Sequence, residues 1–135
     1  MKLYAVFDTN VLVSSMISHF SDSATVKVVG AIMAGVITPL YNQEILSEYR
    51  TVLRRKKFNL LDRDVDFITE TIVNKGIDTE RTASGITFID ESNSVFYEVA
   101  LSKESSYLIT CNIKHFPQTP IVVTPSEMLE IIAKK

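Results

Sequence analysis

The run Leu3-Tyr4-Ala5-Val6-Phe7 is apolar without interruption and stops on Asp8, and it constrains the fold more than any other stretch of the chain. Such a run, bounded by polar residues, suits a strand covered on both faces, the condition of a central strand in a parallel sheet. Asp8 then falls at that strand's carboxyl end. Open α/β sheets bind their ligands in the crevice outside those ends, so this carboxylate points to where a site is expected.

The rest of the chain alternates in kind. Val11, Leu12, Val13, Met16 and Ile17 recur at helical spacing directly after Asp8. A second helix, capped by Asp22 or Ser23, carries Val26, Val28, Val29, Ile32 and Met33 and stops at Gly35. Val36-Ile37-Thr38 reads as a strand closed by Pro39, because proline suits a strand end better than its centre. From Asn42 to Lys57, Ile45, Leu46, Tyr49, Val52 and Leu53 form one helical stripe. Glu48 lies on the edge of that stripe, whereas Glu44, one turn earlier, points further into solvent. Asp62 to Lys75 is a further helix ended by Gly76. Ile77 to Ser84 reads as loop, Gly85 to Ile89 as a third strand ending on Asp90, and Ser92-Asn93-Ser94 as the start of a helix burying Val95, Phe96, Val99 and Ala100. Tyr107 to Thr110 and Ile121 to Val123 are the last strands. Thr124-Pro125-Ser126-Glu127 then opens a helix with a hydroxyl cap, a proline in the first turn and a Glu three residues after the cap. Alternation of this kind predicts a parallel sheet wrapped by helices.

At 135 residues and 46% apolar content, the chain is sized for one hydrophobic core and reads as a single domain, 1–135. A balance of 14 basic against 16 acidic residues, net charge -2, gives no global attraction to nucleic acid or to an anionic membrane. Any polyanion must therefore be bound locally. One cysteine, Cys111, in an apolar neighbourhood suits a reducing compartment. No apolar run approaches the roughly 20 residues of a membrane span. A soluble, cytoplasmic protein is expected.

Asp8, Glu48 and Asp90 are distant in sequence, yet this fold class brings them to one rim of the sheet, with Asn93 beside Asp90 and Asn112 at the next strand end. Close carboxylates repel unless positive charge sits between them. A divalent cation supplies it, and magnesium is commonly held by a few carboxylates together with substrate phosphates. Such a site can activate water and neutralise a phosphodiester under attack. The plainer reading of Asp90 is a helix cap. Asn10 either closes a turn or orients the Asp8 carboxylate. The cluster Arg54-Arg55-Lys56-Lys57 is either a solvated helix end complementing the helix dipole or a phosphate-contact patch in which Arg54 and Arg55 bind substrate.

Phe7-Asp8-Thr9-Asn10-Val11-Leu12 resembles the opening motif of PIN domains, and Glu48-Tyr49-Arg50-Thr51-Val52-Leu53 resembles the helix carrying their second acid. Val95-Phe96-Tyr97-Glu98-Val99-Ala100, followed by Leu108-Ile109-Thr110-Cys111-Asn112-Ile113-Lys114-His115-Phe116-Pro117, is similar to the later motifs of the branch found among toxin components of toxin-antitoxin systems. The resemblance spans nearly the whole chain. It implies a three-layer α/β/α fold with a central parallel sheet of four to five strands. It also implies magnesium- or manganese-dependent RNA cleavage, a homodimer, and inhibition by a small antitoxin protein.

Carried over by position, Asp8 and Glu48 match the first two acids of the family, and Asn93 stands where the third acid is expected. Asn112 stands where many members carry Asp, and His115 where others place a further acid. Amides keep coordinating oxygens but remove charge, which weakens divalent-ion affinity unless Asp90 compensates. The leading expectation is a metal-dependent ribonuclease with Asp8, Glu48, Asn93 and Asn112 on the ion, Asp90 in reach, and Asn10 and Thr110 ordering the ligands. The alternative is a PIN-like module that binds RNA or protein with a weakened or lost metal site. A phosphatase using the same rim ranks last, since no nucleophile-activating motif supports it.

Overall fold

In the computed structural model, which describes residues 2–135, strands and helices alternate. The order is β1 (Leu3–Phe7), α1 (Thr9–Ile17), α2 (Ala24–Met33), β2 (Ile37–Tyr41), α3 (Gln43–Leu53), α4 (Asp62–Lys75), β3 (Ile77–Asp78), α5 (Glu91–Leu101), β4 (Ser106–Ile109), β5 (Val122–Val123) and α6 (Pro125–Ala133). Short 3-10 turns at Lys56–Phe58 and Ile113–His115 interrupt the connections after α3 and β4. The five strands form one sheet in the order β3-β2-β1-β4-β5, and every pairing is parallel. The α/β fold with a central parallel sheet expected from the sequence is the one observed.

β1 is central, as its unbroken apolar run requires. Ala5, Val6 and Phe7 are fully buried, with β2 on one side and β4 on the other. α2 lies against α1, α4 and α6, while α5 packs on β1 and β4 and against α3. The chain works outward from β1 to β2 and β3, then crosses to β4 and β5. The strand order therefore reverses between β1 and β4, and a crevice opens at such a switch point above the carboxyl ends.

Local chemistry explains most helix ends. Ser23, one of the two caps considered, accepts from the Val26 amide, and Asn42 Oδ1 accepts from the Ile45 amide at 2.9 Å. Gly35 ends α2 at φ +76°, a conformation that favours glycine. Thr124 and Glu127 make the reciprocal capping box at 3.1 and 2.9 Å.

Five local expectations are corrected. Residues 85–89 are irregular rather than a strand: Gly85 is at φ +71°, only Phe88 of the group is buried, and Ile86 and Ile89 face water. The third strand is instead Ile77–Asp78, in the segment read as loop, and it adds to the free edge of β2. Pro39 lies inside β2 rather than at its end. It pairs in register with Ala5, but the ladder to β3 begins only at Leu40, so the missing proline N–H breaks no bond there. Finally, α3 stops at Leu53, and the basic cluster continues as the Arg54 cap and a 3-10 turn. Cys111, placed by the sequence in an apolar neighbourhood, is exposed.

Candidate active site

Asp8 leaves β1 and enters α1 as its N-cap residue, but its side chain caps nothing. Instead Thr110, the residue that leaves β4, donates from Oγ1 to Asp8 Oδ2 at 2.8 Å. This bond spans the switch point. Thr110 is completely buried, and its Oγ1 also accepts from the Asn112 amide at 3.0 Å. One hydroxyl therefore fixes both the carboxylate and the turn after β4. The backbone closes the same corner, with the Asp8 amide on the Ile109 carbonyl at 2.9 Å.

Asn10 reaches the same turn without touching Asp8. Its Oδ1 accepts from the Cys111 amide at 3.1 Å, so it holds the β4 exit against α1 rather than orienting the carboxylate. Thr110 is the residue that does the orienting.

Glu48 is brought to this corner by its neighbour. Tyr49 is buried on α3, and its hydroxyl donates to the Phe7 carbonyl at 2.5 Å, pinning the helix to the last residue of β1. Its ring packs against Phe96 of α5. The sequence had placed Tyr49 only in an apolar stripe; the signal for more was the hydroxyl, since a buried tyrosine needs a partner for it. Glu48 itself is half-buried and makes no hydrogen bond or ion pair among the described residues.

The electrostatics follow from this placement. Burial lifts the Asp8 carboxyl above its ordinary value. The Thr110 bond, the Thr9 amide and nearby His115 pull it down, and the charge of Glu48 pushes it up again. Beside it, the Thr9 hydroxyl is buried without a hydrogen-bond partner. The Tyr49 phenol is held well above its usual range by burial and then by the Asp8 charge.

Asp90 stands apart from this pair. It is exposed, and its Oδ1 accepts from the Ser92 amide at 3.0 Å and the Ser92 hydroxyl at 2.7 Å, capping α5. Those bonds, with a contribution from His115, lower its pKa. The expected convergence of three acids is thus not realised: among the described residues, no three of His, Cys, Asp and Glu come together as a metal-holding group. Asn93, in the first turn of α5, is half-buried with an unbonded side chain, and the Asn112 amide nitrogen lies 3.1 Å from His115 Nε2.

Asp8 and Glu48 have the donor chemistry that a divalent ion takes, two carboxylates without a cationic partner among the described residues. Two carboxylates that feel each other, one of them buried, favour positive charge between them. A divalent ion can be held by so few protein ligands when waters and a substrate phosphate complete its shell.

The basic cluster lies elsewhere. Arg54 closes the far end of α3, about 9 Å along the axis beyond Glu48, and is paired with Asp62 at 3.2 Å and Asp66 at 2.6 Å on α4. Arg55 is exposed at the following turn.

A parallel sheet with a buried acid at its switch point and a second acid on the adjoining helix makes this an α/β domain with an acidic corner at the carboxyl ends of its strands. The PIN domain family matches residues 4–114, and the chain belongs to that family. PIN domains are generally nucleases, and they typically use divalent metals. No curated protein and no solved structure matches the chain. No helix among the described residues is long and apolar enough to cross a membrane.

Proposed function

We propose that this chain is a single-domain, metal-dependent endoribonuclease of the PIN toxin type, acting in the cytoplasm. The observation that carries the reading is the Asp8–Thr110 bond across the β1/β4 switch point, with Glu48 near enough to act on the same carboxyl.

Asp8 and Glu48 would hold a magnesium or manganese ion, with Asn93 and Asn112 adding neutral oxygens. When bound, such an ion lowers the pKa of water and offsets charge on the phosphodiester. Thr110 keeps the Asp8 carboxylate in one rotamer, and Tyr49 keeps Glu48 at the end of β1. Asn10 and Thr110 hold the β4 exit turn that presents Asn112. Arg54 and Arg55 are retained only as distant contacts for a long RNA, since Arg54 is already paired. The resemblance to toxin components supports a homodimer and an antitoxin protein as partners.

The test is RNA cleavage with magnesium or manganese by the wild type and by Asp8→Asn. Cleavage lost in the variant supports the reading; equal cleavage by both proteins ends it.

A second reading is favoured by Asn93 and by the missing three-acid cluster: a PIN-like module that binds RNA or protein with its metal site weakened. A large gain of activity in Asn93→Asp from an inert parent would identify it.

A further inference from the structure

Beside the carboxylate rim lies a cleft of about 440 Å³, between the irregular segment 86–90 and the turn 114–117. Its floor is rigid. Phe88 packs against Tyr97 of α5 at 6.1 Å between ring centroids and edge-on against Phe116 at 6.2 Å. Its lip is apolar and wet: Ile89 is fully exposed and Ile86 is 42% exposed. Each forgoes much of the burial that an isoleucine gains in a core. Five polar side chains line the same space: Thr87, Asp90, the unbonded Asn93 amide, Lys114 and His115, of which Asp90 is already engaged with Ser92 at the start of α5.

We propose that this cleft is a subsite for the base of one unpaired nucleotide of the RNA substrate; the assignment rests on the nuclease reading above. The volume falls in the range of small-molecule sites, roughly 300–1,000 Å³. A nucleotide has flat apolar faces, an edge of donors and acceptors, and an anionic tail. Ile86 and Ile89 suit the faces, the Asn93 side-chain NH2 offers a donor to the edge while its oxygen serves the ion, and Lys114 and His115 suit the phosphate. A wholly apolar protein side chain would leave Asn93 and Lys114 facing it without partners. A duplex keeps its bases stacked, so only a single-stranded segment can place one here.

The wall of the cleft is tied to Asp8 by hydrogen bonds. His115 meets Asn112 at 3.1 Å, Asn112 donates its amide to Thr110, and Thr110 holds Asp8. A base seated between 86–90 and 114–117 would thus lie against the same turn that holds Asp8.

The test measures anisotropy of a short fluorescent single-stranded RNA on full-length Asp8→Asn, which limits turnover, and on the same chain carrying Ile86→Ser and Ile89→Ser. Both isoleucines are on the surface, so the fold is preserved. Each chain is titrated with the intact RNA and with probes made abasic at successive positions.

The added substitutions are expected to weaken the intact probe by about tenfold, the order of one lost base contact. One abasic position should cost the Asp8→Asn chain a similar factor and cost the added-substitution chain nothing more. Unchanged binding, or the same loss on every abasic probe, overturns the subsite. So does a change confined to self-association in the ultracentrifuge, which would make the lip a protein contact. Wild-type and Asp8→Asn cleavage are measured in parallel. A failed binding cycle with Asp8-dependent cleavage intact removes only the subsite. An intact cycle without such cleavage removes the nuclease and leaves RNA binding.

Discussion

The two sides of the rim are built differently. On the β1/α3 side, Asp8 is buried, tied to Thr110 and backed by Tyr49 on the Phe7 carbonyl, so each side chain has one place to be. On the α5 side, Asp90 is exposed and occupied as a cap, Asn93 is unbonded, and two isoleucines face solvent. One side has the burial and hydrogen bonding that hold a reacting group; the other has the openness of a surface that receives something. On the proposed nuclease reading, that difference fits chemistry on the first side and recognition on the second.

The sharpest way to break that comparison is Asp8→Asn. Cleavage should fall by on the order of a hundredfold or more, measured on labelled RNA. The same substitution should stabilise the metal-free protein by about 0.5–2 kcal/mol, because it removes a desolvated charge that folding disfavours.

That gain should depend on pH. Burial raises the Asp8 carboxyl above its ordinary 3.8, so folding favours its protonated form. Stability from this group is complete below about 3.8 and is lost as pH rises through the folded value. The melting advantage of Asp8→Asn over wild type should therefore be absent at the acid end, grow through the raised value and then level off. An advantage independent of pH would contradict the burial of the charge.

Tyr49→Phe tests whether the first side depends on its support. Losing the buried bond to Phe7 should cost about 1 kcal/mol in denaturant melts and lower cleavage roughly tenfold by freeing α3 and Glu48. Undiminished cleavage would mean that Glu48 is placed by packing alone.

Asn93→Asp probes the second side from the opposite direction. Adding a charge to the ligand set should lower the magnesium concentration for half-maximal cleavage several-fold; no change would place residue 93 outside the ion's reach. The smallest effect is expected at Asp90. Asp90→Ala should cost about 1 kcal/mol of stability while Asp90→Ser keeps the cap, and neither should alter cleavage. Loss of cleavage in the serine variant, with stability retained, would move Asp90 from cap to site.

Much of this was legible from residues near one another. The apolar run before Asp8, the stripe of α3 and the Thr124–Glu127 box are local patterns with local causes, and they gave the parallel α/β fold and the first acid. Residues 85–89 misled because Gly, Ile, Thr, Phe and Ile read as strand in isolation, whereas Ile77–Asp78 is the segment that pairs with β2. Asn10 misled for a related reason. Its nearness to Asp8 in sequence suggested contact, but the start of α1 turns it toward the Cys111 amide.

By itself, the sequence determined the element types, the centrality of β1 and the position of Asp8, since these depend on side-chain periodicity and on where polarity interrupts it. Tertiary structure alone decided that Thr110, distant in the chain, holds Asp8, that Tyr49 pins α3 to the end of β1, and that Asp90 is occupied by its own helix. The reason is that burial and hydrogen-bond partnership are properties of neighbours in space, and the sheet order that brings β4 beside β1 is written in no single segment.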